Sequence, residues 1–420
     1  MKFRGGILYY SLLVIVLTGV FIGFILLLSY YDNRIFLDKF NQDRIRRNVI
    51  SAINIYLAGE DLFKQEDTIT IDLFDNPSDR VYMSRKKWGN YFIVKSTANW
   101  KNLSFSKQCL VASDINFQEP VALFLQDNGS ILSLSGNTII NGTCYLPGKT
   151  VRSASIEGKH FIYKDLVSGI IKESPKTFPD LDENLLEYAI DYLDDIVNPN
   201  DSIVHILAFD KKSYHNSFFN KTVFLYNDIL NKLSNHAFSG NIVLFSTKEL
   251  EVDSTSQMTD IVLIAPRIII KKGFKGEIQA FAIQSIIVEE NCSLDYPSQL
   301  CVIQSEKNRY NPSDSLIISI DKNSYVKGGI LIKSSGLTSF VRIENGAKAV
   351  GQVYCPGLVE LMGEIEGTLY CRSFYLRTSR ARYYNHLLDS RIDYTRLSKN
   401  FASMDLFNEN THKSVIKWLD

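Results

Sequence analysis

From Ile7 to Tyr31 the chain reads ILYYSLLVIVLTGVFIGFILLLSYY, an apolar run without one charged side chain. At about 1.5 Å per residue it exceeds the roughly 30 Å hydrocarbon core of a bilayer, so the pattern predicts a membrane-spanning helix. Beyond Asn33 the pattern changes. Apolar residues fall at Phe36, Phe40, Val49, Ile50, Ile53, Tyr56 and Leu57, mostly three and four apart, which is the spacing of one helical face. No proline or glycine interrupts residues 24–58. One helix is therefore expected from about 7 to 58, close to 78 Å long, with a transmembrane part (7–31) and an amphipathic stem (32–58). Gly59 supplies a stop signal.

From about 60 to 258 the period shortens to two. Runs such as Tyr91-Phe92-Ile93-Val94 and Val121-Ala122-Leu123-Phe124-Leu125 alternate with Asp127-Asn128-Gly129 and Ser135-Gly136-Asn137 turns, so a β-rich middle domain is expected. Helices are expected within it near 180–196, where Leu181, Leu185, Ala189, Tyr192, Leu193 and Ile196 make an apolar stripe, and near 221–233.

A repeat occupies 260–377. Ile268-Ile269-Ile270, Ile286-Ile287-Val288, Ile318-Ser319-Ile320, Val341-Arg342-Ile343 and Val359-Glu360-Leu361 recur at intervals of roughly 18 residues, most of them followed by a glycine and a second alternating strand at Gly276, Gly328, Gly351 or Gly367. Alternating strands separated by glycine corners suit a coil of parallel β-strands, each turn burying alternate side chains and stacking on its neighbour. A β-solenoid of about five turns is expected, with an insertion near 303–315. Residues 378–420 fall outside the repeat and are expected to cap it. The fold class is thus mainly β behind an N-terminal transmembrane helix.

Composition then narrows the function. The chain has 46 Lys+Arg against 46 Asp+Glu, 45% apolar residues and 10 prolines, which excludes a disordered chain, a collagen and a strongly basic nucleic-acid binder. The first alanine is Ala52 and the first cysteine Cys109, so neither an A-x-A cleavage site nor a lipobox follows the apolar run, and retention in the membrane is expected. Lys2 and Arg4 precede the span and favour a cytoplasmic N-terminus, which places the remainder outside a bacterial inner membrane as a single-pass protein.

Six cysteines permit three bridges. Cys292 and Cys301 flank a short loop and form the nearest candidate pair; Cys109 and Cys144 form a second. Cys355 and Cys371 share a repeat slot with Ala280 and Ile332, which predicts stacked core residues. Cysteine and histidine spacings give no zinc site, and the sequence offers no metal ligand set, no cofactor motif and no catalytic constellation. Asp194-Asp195 reads as part of a solvated acidic face. Glu364 and Glu366 are the one close carboxylate pair that a glycan-active β-helix enzyme could use, and a surface role is the expectation. Arg377, Arg380 and Arg382 with Tyr383 and Tyr384 read as a solvated capping segment, with a grip on an acidic glycan or phosphate-bearing partner as the alternative.

Two resemblances follow from these residues. The leader Met1-Lys2-Phe3-Arg4-Gly5-Gly6, the apolar run from Ile7 and the amphipathic continuation resemble the N-terminus of type IV pilin-like and pseudopilin proteins. That implies cleavage between Gly6 and Ile7 and packing of the helix into a filament. Ser11 stands where major subunits of that family carry glutamate, which implies a minor subunit. The repeat over 341–377 resembles that of bactofilins, polymer-forming β-helical proteins, which implies non-enzymatic assembly. The expected function is a non-enzymatic, membrane-anchored structural subunit of a cell-envelope assembly, as a minor pilin-like component of a type IV pilus or type II secretion-like machine, or else a scaffold polymerising through the solenoid. Its expected partners are membrane lipid through 7–31 and other protein subunits, not nucleic acid.

Overall fold

The computed structural model describes residues 6–58, 62–63, 68–115, 120–182, 185, 202–205, 212–226, 231–304, 315–334, 339–407 and 412–419. They form two compact units.

The first unit holds most of a 52-residue helix, Gly6–Leu57, and part of an antiparallel sheet. The helix is long and apolar enough to cross a membrane. Its buried face is Ile45, Asn48, Val49, Ala52, Ile53 and Tyr56, three and four apart. The sheet pairs Thr68–Asp72 with 80–84, and Val81, Met83 and Ala98 are buried in it. The Ser96 hydroxyl donates to the Val49 carbonyl at 3.1 Å, and the Tyr56 ring meets Phe63 edge-on at 5.3 Å. The predicted stripe differs from this face. Phe36, Phe40 and Ile50 are exposed, whereas Ile45 and Ala52 carry the packing.

The second unit is dominated by a three-walled parallel β-solenoid of about 10 turns. The first wall stacks 223–226, 242–245, 261–265, 278–282, 299–302, 329–332, 352–355 and 369–371. The second runs through 237–239, 257–259, 325–328, 348–351 and 364–365. The third runs through 250–252, 268–270, 285–288, 316–320, 339–343 and 358–361. Inward side chains such as Leu263, Ala282, Leu300, Ile332, Cys355, Val359 and Cys371 make one continuous core.

The first wall is buried on both sides. Its outward residues Val243, Phe245, Val262, Ile264, Phe281, Leu331 and Tyr354 pack under Trp88, Tyr91, Leu110, Met404 and Leu406. That double burial explains why its strands read as unbroken apolar runs. A polar seam crosses this layer. The Asn90 backbone N–H donates to Gln279 Oε1 at 3.0 Å, its side-chain amide donates to Gln299 Oε1 at 3.2 Å, and Gln299 donates to the Tyr91 hydroxyl.

The solenoid reaches well beyond 260–377. The expected helix at 221–233 is instead the strands Val223–Tyr226 and Lys232–Leu233, which extend the first and third walls. Most of 180–196 lies outside the described residues; Leu181 and Leu185 pack against the outer side of the first wall. Past Arg377 the stack continues through a composite turn. Leu369, Tyr370 and Cys371 pair with Leu123, Phe124 and Leu125, while Glu364 and Ile365 pair with Arg391 and Ile392. Further turns follow from 132–146 and 151–173. The tail therefore does more than cap. Residues 386–393 are part of a turn, and Lys413–Leu419 pairs antiparallel with 108–113.

Gly328, Gly351 and Gly367 stack at one corner. At Gly351, φ is +127° and a Cβ would lie 1.9 Å from the Gly328 carbonyl oxygen. Backbone cannot yield as a side-chain tip can, so Gly351→Ala is expected to destabilise the unit by about 2–4 kcal/mol. Asn90→Ala, which strips the amide from Gln299, is expected to cost about 1–3 kcal/mol. Thermal unfolding followed by near-UV circular dichroism measures both; an unchanged transition in Gly351→Ala would contradict the stacked corner.

Candidate functional site

The helix supplies the first candidate surface. Gly6 opens it and Ile7 follows, while residues 1–5 of the leader lie outside the described residues. Ile7 through Leu17 display exposed apolar side chains, and so does most of the run to Tyr31. Exposure continues past the span at Ile35, Phe36, Leu37 and Phe40, with Phe36 at 66% and Phe40 at 51%.

Below these positions the helix is clamped. Arg44 Nε donates to Asp79 Oδ1 at 2.7 Å, Arg44 Nη2 pairs with Asp79 Oδ2, and Asn48 Nδ2 donates to Asp79 Oδ1 at 2.8 Å. The Arg44 guanidinium also lies 5.7 Å from the Trp100 ring centre. The Arg44 hydrogen bonds hold the Asp79 carboxyl below its ordinary range, and Asn48 adds to the effect against the opposing cost of burial. Sequence reading missed both residues because Arg44 sits in the charged run Arg44-Ile45-Arg46-Arg47, which reads as solvated.

The carboxylates singled out on the solenoid are held by cations. Glu366 accepts Lys348 at 2.7 Å and Arg396 at 2.9 Å, and Glu364 meets Arg396 at 3.4 Å. Glu360 is paired with Arg342 at 2.7 Å. Glu364 is partly exposed, whereas Glu366, expected at the surface, is buried beneath its two cations, as is Glu360 beneath Arg342. Asp194 and Asp195 lie outside the described residues, and no group of His, Cys, Asp and Glu among the described residues could hold a metal ion.

No disulfide links any of the six cysteines, and all six are buried. Cys292 belongs to the solenoid core and Cys301 to the outer layer of the first wall, so the nearest candidate pair is split across one β wall. Cys109 sits on the strand Leu103–Asp114, with its thiol directed at the Val94 carbonyl, and Cys144 points into the solenoid core, so the second pair is also unbridged. Cys355 and Cys371 are register partners inside the core, as the repeat slot predicts. Their counterpart in the earlier turns is Ala282 through Val302 and Ile332, two positions beyond Ala280. Burial pushes the Cys144, Cys301 and Cys355 thiols up to about 12. Such thiols are protonated and unreactive at neutral pH.

Comparison with models of protein families gives no match. Comparison with the curated proteins gives none either. Among solved structures, the chain is similar at 11% identity to the competence-associated pilin ComZ from Thermus thermophilus, over 90% of this chain and 97% of that one, with a TM-score of 0.17. A superposition at that score establishes no common fold.

Two outcomes follow. Because the folded Asp79 carboxyl titrates below its unfolded value of about 3.9, its stabilisation is full above that pH and is lost as pH falls through the lowered folded value. Asp79→Asn should flatten this acid limb of stability, measured by melting temperature between neutral and strongly acidic pH. Maleimide should label no cysteine in the native protein and all six after denaturation without reductant; fewer labels on the denatured chain would reveal a bridge.

Proposed function

We propose that this protein is a non-enzymatic, membrane-anchored structural subunit of a cell-envelope assembly, in which its N-terminal helix packs against helices of other subunits in a pilin-like manner. The observation that carries the reading is the exposed apolar surface beyond the lipid span. Ile35 lies about 42 Å along the axis from Ile7, outside a hydrocarbon core of roughly 30 Å. A plain lipid anchor has no use for Ile35, Phe36 and Phe40 in the aqueous phase, whereas a bundle of neighbouring helices would bury them. The leader ending in Gly6 supports the same reading, as does the helix-on-sheet packing fixed by Ser96 and the Arg44–Asp79 pair. On this reading the protein sits in a bacterial inner membrane with the solenoid outside the cytoplasm, as a minor component of a type IV pilus or type II secretion-like machine.

The alternative of a scaffold polymerising through the solenoid end after Arg377 is less favoured, because that end is already continued by 121–125 and 386–393. A glycan-cleaving role for Glu364 and Glu366 is disfavoured by their pairing with Lys348 and Arg396.

N-terminal sequencing of the protein recovered from envelopes should begin at Ile7. A photo-crosslinking residue at Phe36 or Phe40 should give adducts with other subunits, and Phe40→Asp should abolish them without preventing membrane insertion. An intact Met1 together with no adducts at either position would sink the proposal.

A further inference from the structure

The strand Glu364–Arg377 and the strand Arg382–Tyr384 form an antiparallel hairpin, in register Tyr375 with Tyr384, Leu376 with Tyr383 and Arg377 with Arg382. Directly opposed residues of such a pair share a face, so two tyrosines and two arginines stand side by side. Opposed like charges are destabilising. No acid among the described residues pairs with Arg377, Arg380 or Arg382, and all three are exposed. The nearby Glu157 is engaged by the Ser379 hydroxyl at 3.5 Å.

The tyrosines continue an aromatic row. Tyr384 and Tyr375 are 5.7 Å apart between ring centres, and Tyr375 and Phe340 are 6.1 Å apart. Arg342 lies over Phe340 at 5.3 Å, with its charge neutralised by Glu360. Tyr384 is 58% exposed.

The platform is firmly built. Asn385, fully buried and at φ +52°, accepts hydrogen bonds from the Phe374 N–H at 3.0 Å and the Ser373 hydroxyl at 2.8 Å, and donates to the Ser130 carbonyl at 3.1 Å. At the turn, the Thr378 hydroxyl accepts from the Arg380 and Ala381 N–H groups at 3.3 and 3.1 Å. One exposed ring, Tyr384, propped edge-on by Tyr375 and set beside exposed guanidinium groups without an acid partner, is preorganised for a ligand that brings an apolar ring face and an anionic group together.

We propose that this hairpin is a binding site for an acidic glycan, with a sugar ring face laid against the exposed Tyr384, which Tyr375 buttresses edge-on, and a sugar carboxylate held by Arg377 and Arg382. Guanidinium groups bind carboxylates in paired hydrogen bonds, and the ligand removes the repulsion that the hairpin carries when empty. Local charge favours a glycan over a single-stranded nucleic acid. A nucleic acid presents one phosphate per nucleotide and needs a continuous basic track. Here Arg342, Lys348 and Arg396 on the adjoining turns are paired with Glu360, Glu366 and Glu364, which breaks any continuous basic track.

The test uses the full chain in detergent, titrated with oligogalacturonate, with neutral dextran of similar length and with oligothymidylate. Oligogalacturonate should bind in a salt-sensitive manner and dextran should not. The double variant Arg377→Gln/Arg382→Gln should lose about tenfold or more in affinity, and Tyr384→Ala should also weaken binding. The melting temperature of the unliganded double variant should be unchanged or raised, because an opposed like-charge pair is removed, and this separates a binding role from a structural one. Equal affinity of the double variant, absence of oligogalacturonate binding, or preference for oligothymidylate would each overturn the assignment.

Discussion

A stack of parallel strands must end, and its last turn presents a row of N–H and C=O groups that need partners. The turn 364–377 meets this constraint with backbone drawn from two distant stretches. Leu123, Phe124 and Leu125 pair on one wall, Arg391 and Ile392 on another, and on the third Asn385 donates its N–H to the Phe374 carbonyl. Neither stretch completes the turn alone. Once this composite turn exists, 132–146 and 151–173 stack on it, and residues 174–182 must then pass back over the outside of the first wall. Phe178 does so, lying 5.9 Å from Phe124 and 5.1 Å from Tyr354 between ring centres. The position of the chain before the repeat thus follows from how the repeat is terminated.

The outer layer of the first wall obeys a second constraint. Aromatic and aliphatic packing is non-directional, and side chains such as Phe281 and Leu331 would accept several placements of a covering layer. The Asn90 seam removes that freedom. Gln279 and Gln299 are register partners in successive turns, and both reach the Trp88–Tyr91 turn. Gly89, at φ +59°, lets the backbone come so close to Gln279 that no Cβ fits. Among the described residues Asn90 Oδ1 has no hydrogen-bond partner, so the seam is not fully satisfied within them. Buried polar groups of this kind add little net stability and mainly fix one arrangement among several.

What the sequence made legible depended on local repetition. The helix, and the turns between 268 and 377, were readable because their period is carried by long elements, such as Lys348–Leu361, and by glycines stacked at 328, 351 and 367. Residues 121–173 read in sequence as part of a middle domain over 60–258 because their strands are as short as two residues and their partners in the composite turn lie some 250 positions away. Val223, Phe224 and Leu225 followed by Ile229, Leu230 and Leu233 imitate helical spacing, although the wall register sets the first three as strand. Parity could have excluded the Cys292–Cys301 pair. In an alternating strand Leu294, Leu300 and Val302 face the core, so Cys301 must face out. Of the candidate surfaces, the helix was legible; the clamp at Asp79 depends on a contact across 35 positions of chain.

The balance of 46 cations and 46 acids also takes on a structural meaning. Arg267 pairs with Glu249, Lys271 with Glu289, Lys272 with Glu290 and Arg342 with Glu360, each separated by 18 residues. That interval is one turn of the solenoid, so opposite charges are set on neighbouring turns at matching positions. Each exposed pair stabilises by about 0–1 kcal/mol at most. A shift of register by one residue would nevertheless forfeit all of them and turn every core side chain outward, so the ladders and the core select the same register. Against this regularity the opposed Arg377 and Arg382 stand out. A chain that sets opposite charges on neighbouring turns at several steps leaves like facing like at the hairpin, where the stack passes to its composite turn. Capping alone does not require that arrangement, because a neutral residue at either position would pair the same backbone groups without the repulsion. The arginines are therefore better explained by something that approaches from outside the chain.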